Sequence, residues 1–347
     1  MHHPVVTPFA IVYFLFLSSS YTITAFEMKF LCLLSPTKQL AEKSCPKLLP
    51  KNVSLLPTRV KALESPRSVL LKRMQQLSEN ELKTMMGLSD KLAVLNFQRY
   101  QNFEEQPYFE AGRLFDGPSF KKLNIDDFSE SELNRLDSSL CILSGLYGIL
   151  MPRDPMQPYR LEMGTRLRVD DVQTLYQFWQ KHSLTQQIVK LGHGRCILNC
   201  ASQEYSKVVQ FEELRSEGVQ TIDIVFQANK GGRVASVYAK QARGLFVRFV
   251  AKANPSNFDD LQQFTGDGHY LFASKSNGKI IFERYAEAQG AGDDALWNTD
   301  ANLLATKKRC VKTKSLTGKR IASAKEVRQN SDEKRRRTRS SIRKKTV

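Results

Sequence analysis

Missing from these 347 residues are the spacings that announce metal or cofactor chemistry. No CxxC pair occurs among Cys32, Cys45, Cys141, Cys196, Cys200 and Cys310, so the usual zinc-type thiolate spacing is absent. Histidine is scarce. His2 and His3 stand at the very start, and His182, His193 and His269 have no HxH or HExxH partner. That set supports no nucleophile-plus-histidine arrangement, and no GxxxxGK[ST] phosphate loop occurs. The expectation is therefore no resident metal and no cofactor. Long apolar runs are missing as well: FAIVYFLFL at 9–17 falls short of the roughly 20 residues that span a bilayer.

That run is followed by SSSYTITA, which ends at Ala25 and has the character of a signal-peptide cleavage region, although no Lys or Arg precedes it. Translation from Met28 is the competing explanation. A genuine leader implies a plastid or secretory route; a start at Met28 implies the cytoplasm, or the nucleus by way of the tail. Residues 1–27 are set apart from the fold on either account.

Cysteine usage is that of a reducing compartment. Several cysteines sit inside apolar runs (FLCLLS, LCILSG, RCILNC), where a thiol packs as a small hydrophobe. Cys196 and Cys200 are four apart and could share a strand face, which leaves paired ligation as the alternative to core packing.

The formal charge of +17 is unevenly placed. From Ala305 onward there are 17 Lys/Arg against 3 Asp/Glu, which leaves 35 against 32 in all the rest. The last forty residues carry no aromatic side chain, and such a segment buries too little apolar area to offset its chain entropy. Residues 287–347 are expected to be a disordered basic tail. Its Lys334-Arg335-Arg336-Arg337 and Arg343-Lys344-Lys345 runs suit a nuclear address, a nucleic-acid patch or a plain solvated tail.

Between these ends, residues 28–286 mix strand and helix signals without strict alternation. KFLCLL at 29–34 reads as a buried strand stopped by Ser35-Pro36. Helices are expected over 65–103 in three pieces, the second opened by a Ser78/Glu81 capping box, and again over 129–138 behind Ser129/Glu132. Short strands are expected at 140–143 and 196–198, with one helix over 174–191 between them. Residues 221–226 and 233–237 read as a hairpin around Ala-Asn-Lys-Gly-Gly, 238–253 as a helix, and 270–273 with 279–283 as a second hairpin on Asn277-Gly278. The fold class is mixed α/β (α+β): a single domain with a central mixed sheet and flanking helices, rather than a regular doubly wound sheet.

Three clusters carry polar chemistry. The stretch LSGLYGILMPRDPMQPYRLEMGTRL at 143–167 is framed by Gly145, Gly148, Pro152, Pro155 and Pro158, which hold it rigid and non-helical. It offers Arg160 and Glu162 on one side if the chain there is extended, either to a ligand or to each other. Asn199, Ser202, Gln203, Glu204, Tyr205 and Lys207 lie just beyond a strand end, where α/β proteins place ligand groups. Lys240 and Arg243 are i, i+3 neighbours on a helix, with Lys252 further along and Tyr238, Phe246 and Phe249 interleaved. Two cations without an adjacent acid favour a bound phosphate or carboxylate; a solvated helix face is the alternative. Lys38 after the first strand and Lys91 at a helix start add further cations. In LQQFTGDG at 261–268, Gly266 and Gly268 have the Gly-x-Gly of a helix-hairpin-helix turn that meets DNA phosphate, or of an ordinary turn.

These segments together resemble the YaaA family: LLSPTK (33–38), LSDKLAVLN (88–96), the 143–167 stretch, LYQFW (175–179), NCASQEY (199–205), YAKQARG (238–244) and SNGKIIFER (276–284). The resemblance covers about residues 28–284. It implies a cationic cleft with a helix-hairpin-helix-like element, and a role in peroxide stress through DNA binding that limits iron-dependent damage. The family's basic and polar motif positions fall on Lys38, Lys91, Arg160, Lys240 and Arg243, with Ser202, Glu204 and Tyr205 alongside. Two positions depart from its pattern. Gln203 and Arg113 stand where the family carries acids, which would leave the cleft more cationic. The expected partner is DNA, bound through its phosphates with little sequence preference, or a small anionic ligand. An alternative function is an enzyme acting on a nucleotide, nucleic acid or small anion, with Glu204 or Tyr205 as the acid/base.

Overall fold

Five consecutive apolar residues cannot alternate between a core and a wet face, so a strand ending FLCLL must lie inside. β1 (Lys29–Leu34) does so. Phe30 to Leu34 are all buried, and parallel strands flank it on both sides. A computed structural model describes residues 28–42, 44, 48, 49 and 60–285 of the chain. The leader, the basic tail, Cys45 and Cys310 lie outside the described residues.

Helices come after β1 and the short β2 (Leu48–Leu49): α1 (Glu64–Gln75), α2 (Glu79–Met86) and α3 (Asp90–Gln101). Ser78 and Glu81 close the expected capping box, and Gly87 ends α2 in the left-handed conformation at φ 60°. Next come β3 (Tyr108–Glu110), α4 (Ala111–Leu114), α5 (Pro118–Leu123) and α6 (Glu130–Ser139), the last opened by the Ser129/Glu132 box. β4 (Leu140–Ser144), β5 (Gly148–Leu150) and β6 (Pro155–Met156) lead to α7 (Leu175–Lys181) and α8 (Leu184–Gly192). The chain then forms β7 (Arg195–Asn199), α9 (Gln203–Ser206), α10 (Phe211–Ser216), β8 (Gln220–Ala228), α11 (Ser236–Ala253), α12 (Phe258–Leu261), β9 (Tyr270–Ser276) and β10 (Lys279–Arg284).

The main sheet has the order β5-β4-β1-β7-β8-β10-β9. Its five inner strands are parallel, and β5 and β9 pair antiparallel at the edges. A small antiparallel sheet, β2-β3-β6, stands apart from it. The expected mixed α/β architecture, with a central mixed sheet and flanking helices, is what forms. Its parallel centre is more regular than the sequence pattern indicates. In their own chain order the five parallel strands stand 2-1-3-4-5. The winding therefore reverses at β1 and β7, and the loops leaving the ends of those two strands diverge to open a crevice.

The burial pattern explains why the sequence periodicity is uneven. β4, β1 and β7 are covered on both faces and read as solid apolar runs, whereas β8 and β10 alternate buried and partly buried residues. α11 seals the second half of the sheet through a ring cluster. Phe246 meets Phe264 at 5.2 Å and Phe282 at 5.7 Å, and Phe264 meets Phe282 at 5.1 Å.

Three expectations are corrected. Residues 233–237 form no hairpin with β8: a single bridge joins Ala228 to Gly232, and Ser236 already opens α11. β10 pairs with β8 along Asp223–Ala228 instead, and Val237, read as a strand residue, is exposed on the first turn of the helix. The helix expected over 174–191 is two helices, because Ser183 takes a left-handed φ of 54° between them. Each half buries its own side, Phe178 and Trp179 in α7, Leu184 and Ile188 in α8. Finally, the Gly266–Gly268 turn leads from the single turn of α12 into β9, so no second helix completes a helix-hairpin-helix. Tyr270 packs on Phe226 at 5.4 Å and draws the segment into the sheet.

Candidate functional site

At the crevice above β1 and β7 the chain forms a cleft of about 410 Å³. Its floor is the end of β1 at Leu34, and one wall is the loop Ser35–Gln39. Ser202, Glu204 and Tyr205 come from beyond β7, Tyr159 to Glu162 from the rigid stretch, and Lys240 and Arg243 from α11. Gly117, Pro118 and Ser119, at the start of α5, complete the lining.

Each wall is held by identifiable contacts. Gly145 lies so close to Leu161 that an added Cβ would stand 2.1 Å from the Leu161 carbonyl oxygen, and Trp179 Nε1 donates to the Gly145 carbonyl at 3.0 Å. Tyr100 Oη donates to the Arg160 carbonyl at 2.8 Å, and the Ser144 and Tyr159 hydroxyls lie 2.7 Å apart. The strand-end loops are tied together through two serines. Ser202 N–H donates to Ser35 Oγ at 2.7 Å, and Ser35 Oγ donates to Ser202 Oγ at 3.0 Å. The Ser202 hydroxyl proton is thus left to serve another acceptor. On the far wall, α5 and α11 touch backbone to backbone. A Cβ at Gly244 would lie 1.9 Å from the Ser119 carbonyl oxygen, and Ser119 Oγ donates to the Lys240 carbonyl at 2.8 Å.

Charge within the cleft is unequal. Glu162 Oε1 accepts from Lys38 Nζ at 3.1 Å, Arg160 Nε at 3.1 Å and Arg160 Nη2 at 3.0 Å, so one carboxylate oxygen holds two cations. The Arg160–Glu162 pairing and the cleft-lining roles are therefore both real. Glu204 Oε1 accepts the Gly164 N–H at 3.1 Å, and Tyr176 Oη donates to the Glu204 carbonyl at 2.8 Å. Among the described residues no carboxylate pairs with Lys240 or Arg243. Arg243 Nε is buried with no hydrogen-bond partner, and burial lowers the pKa of its guanidinium. Burial is also the main cause that pushes the Tyr205 phenol well up, with Tyr159 and Glu204 adding to it. Tyr205 is thereby a neutral donor rather than a base.

Of the residues expected from the sequence, Lys38, Arg160, Ser202, Glu204, Tyr205, Lys240 and Arg243 meet in this cleft. Lys91 does not. It is exposed on the first turn of α3, away from the lining, and the turn glycines Gly266 and Gly268 also lie outside it. Phe246 and Phe249 belong to the core rings rather than to a ligand surface. Lys252 is engaged by Glu132 at 3.4 Å and lies over the Phe128 ring. Arg153 turns to Glu130 and Asp137, while Asp154 and Gln157 are buried. Sequence reasoning missed Gly117–Ser119. Its only signal was a Gly-Pro helix start, and the reason Gly is needed is tertiary: a Cβ at Gly117 would stand 2.2 Å from Thr37 Oγ1.

Comparison with known proteins gives the same segments a common origin. A family model described as "Peroxide stress protein YaaA" matches residues 30–275. The chain belongs to the YaaA family. It is similar to a UPF0246 protein of Psychrobacter sp. (strain PRwf-1), 36% identical over 271 residues, spanning 74% of this chain and 98% of that protein. A UPF0246 protein of Delftia acidovorans (strain DSM 14801 / SPH-1) is 36% identical over 267 residues, 73% of this chain and 98% of the relative. Another from Aliivibrio fischeri (strain MJ11) is 37% identical over 230 residues, 63% and 87% respectively. The two departures from the YaaA pattern do not load the cleft with charge. Gln203 is exposed outside the lining, and Arg113 is neutralised by Glu110 and by Asp126 at 2.7 Å. No helix of the described residues is long and apolar enough to cross a membrane.

Proposed function

We propose that this YaaA-family peroxide-stress protein works by holding phosphate groups in the cleft above β1 and β7, with DNA as its partner and protection from iron-dependent damage as the result. The observation that carries the reading is Lys240 and Arg243, two cations without carboxylate partners, facing the same space as Lys38 and Arg160. An anion there offsets the charge of the partly buried Arg243 and takes a hydrogen bond from Ser202. Direct thiol chemistry with peroxide has little support. Burial pushes the thiols of Cys141 and Cys196 up, the latter to about 12, and Cys32 and Cys200 are fully buried.

The test is duplex DNA binding by the full chain, in parallel with K240M/R243Q and with a variant in which Lys334 to Arg337 are glutamine. Cleft-dependent binding loses about tenfold or more in the first variant. If only the tail variant weakens binding, the cleft is not the DNA site.

Convergence of the side chains favours a second reading, an enzyme acting on a nucleotide or small anion. Glu204 or Tyr205, both in the lining, is its candidate acid/base. Turnover of a phosphate ester that is lost in Glu204→Gln, with binding retained, would carry that reading; binding without turnover would end it.

A further inference from the structure

The cleft's size and charge narrow what it can take. Its volume of about 410 Å³ lies near the low end of the roughly 300–1,000 Å³ of small-molecule sites. A duplex, whose phosphates lie along two continuous strands, can offer such a space only a phosphate at its rim, whereas one nucleotide unit fits inside it. The lining carries four cations, Lys38, Arg160, Lys240 and Arg243, against the carboxylates Glu162 and Glu204, which leaves a net +2. An internal phosphodiester brings one negative charge, whereas a terminal phosphomonoester brings close to two at neutral pH, since its second pKa is about 6.

The donors suit a phosphate with three free oxygens. Arg243 lines the cleft without a carboxylate partner, Lys240 stands one turn away on α11, and the Ser202 hydroxyl proton is spare because Ser35 donates to it. Beside them, the partly exposed Pro36 and Pro118 offer apolar wall for a sugar or base.

We infer that the cleft recognises the terminal phosphomonoester of a single nucleotide unit, with Lys240, Arg243 and Ser202 on the phosphate. Two sources share that chemistry: a free nucleoside monophosphate, and the phosphorylated end of a nucleic-acid strand. The inference rests on the phosphate-binding reading above and specifies it. DNA would be held by an end rather than along its backbone.

The full-length protein is titrated with adenosine 5′-monophosphate, adenosine, inorganic phosphate, and a short single strand with either a 5′-phosphate or a 5′-hydroxyl. The added phosphate is itself drawn to the basic tail, so the variant with glutamine at Lys334 to Arg337 is titrated alongside, and a preference that belongs to the cleft persists in it. The expected result is about tenfold or more tighter binding of at least one phosphorylated member over its hydroxyl counterpart, for two added charge-assisted contacts. R243Q and K240M each remove that preference, while Lys190→Met, an exposed lysine outside the lining, leaves it in place. The preference also shrinks below a pH of about 6, where the monoester becomes a monoanion. A preference in the monophosphate pair alone identifies a free nucleotide, and one in the strand pair identifies an end; both support the inference. Equal binding within both pairs, with R243Q still weakening duplex binding, overturns it and leaves the phosphate-binding cleft standing. Equal binding with no effect of either variant on any ligand overturns both. Melting curves of the variants, unchanged from the parent, tie a loss to the cleft; a variant that unfolds is replaced by R243K, which keeps the charge but loses the fork and weakens the preference only partly.

Discussion

Replacing Gly244 by alanine sets two known effects against each other at the point where α5 meets α11. Alanine in a helix interior gains about 1 kcal/mol over glycine. Here the added methyl carbon would lie 1.9 Å from the Ser119 carbonyl oxygen and 2.7 Å from its carbon. Carbon and carbonyl oxygen need roughly 3.3 Å, so the two helices must part by more than about 1 Å. The obstacle is backbone, which cannot rotate aside as a side chain can. An overpacking cost of about 3 kcal/mol, the upper end of the usual range, outweighs the propensity gain and leaves roughly 2 kcal/mol of destabilisation. For a domain of this size that is a fall in Tm of about 4–8 °C. Gly192→Ala is the matched comparison, because its methyl would meet only side-chain ends, Ile197 Cδ1 at 3.0 Å and Val219 Cγ1 at 3.1 Å. It should stay within about 1 kcal/mol of the parent. Thermal melts followed by circular dichroism read both. An unchanged or raised Tm for Gly244→Ala would refute the close approach of the two helices, and with it the placement of Gly117–Ser119 opposite Lys240 and Arg243. Where the reasoning holds, the alanine variant also binds phosphate ligands more weakly, since one wall of the cleft has moved.

Three further outcomes are expected. Ser129→Ala should cost about 1 kcal/mol near neutral pH through loss of the α6 cap. The Ser129 backbone N–H, which alanine keeps, and the Ser129 hydroxyl hold the Glu132 carboxyl below its usual value of 4.5, so only the part of the loss that runs from hydroxyl to carboxylate is present above that pH and fades as pH falls through the lowered pKa. Urea titrations from neutral pH to a pH of about 3 should show the gap between parent and variant narrowing in acid without closing, since the bond from the Glu132 N–H to the Ser129 hydroxyl does not titrate, and a gap that vanishes would contradict the cap. Arg113→Met should destabilise by about 3 kcal/mol, because it strips the buried Glu110 of an ion-pair partner. Adding Glu110→Gln should recover part of that loss; no recovery would mean the cost is packing alone. Last, Cys32, Cys141, Cys196 and Cys200 should resist iodoacetamide in the native protein and react once it is denatured, as read by mass spectrometry. Native labelling of any of the four would show an opening absent from this fold.

Local patterns were the most legible part of the molecule. The Ser78/Glu81 and Ser129/Glu132 boxes form because cap and partner lie within four residues of each other, so nothing distant can overrule them. The same holds for the Asn277-Gly278 turn, whose two residues take φ of 48° and 72°, the positive values that a tight hairpin needs. Misreadings arose where a remote surface decides. The apolar character of Val237 fits a strand or a helix equally, and the period that settles it comes from Ala242, Leu245 and Phe246 finding the core. Gly266 and Gly268 had the right spacing for a helix-hairpin-helix, but the aromatic cluster around Phe264 pulls the residues after Gly268 into β9.

By itself, then, the sequence determined the family, the mixed α/β class, the caps and the concentration of charge beyond Ala305, all of which depend on residue type and near-neighbour spacing. It also supplied the side chains of the cleft, since Lys38, Arg160, Ser202, Lys240 and Arg243 were visible as separate clusters. Only the tertiary structure decided that they share one cavity, which requires the winding reversal at β1 and β7. It alone decided which cations are available. Among the described residues, Glu162 engages Lys38 and Arg160, Glu132 engages Lys252, Glu110 and Asp126 engage Arg113, and Lys240 and Arg243 are left without a carboxylate. The physical reason is that a charge is neutralised by whatever lies within a few ångströms of it, and that neighbour is chosen by the fold rather than by position along the chain.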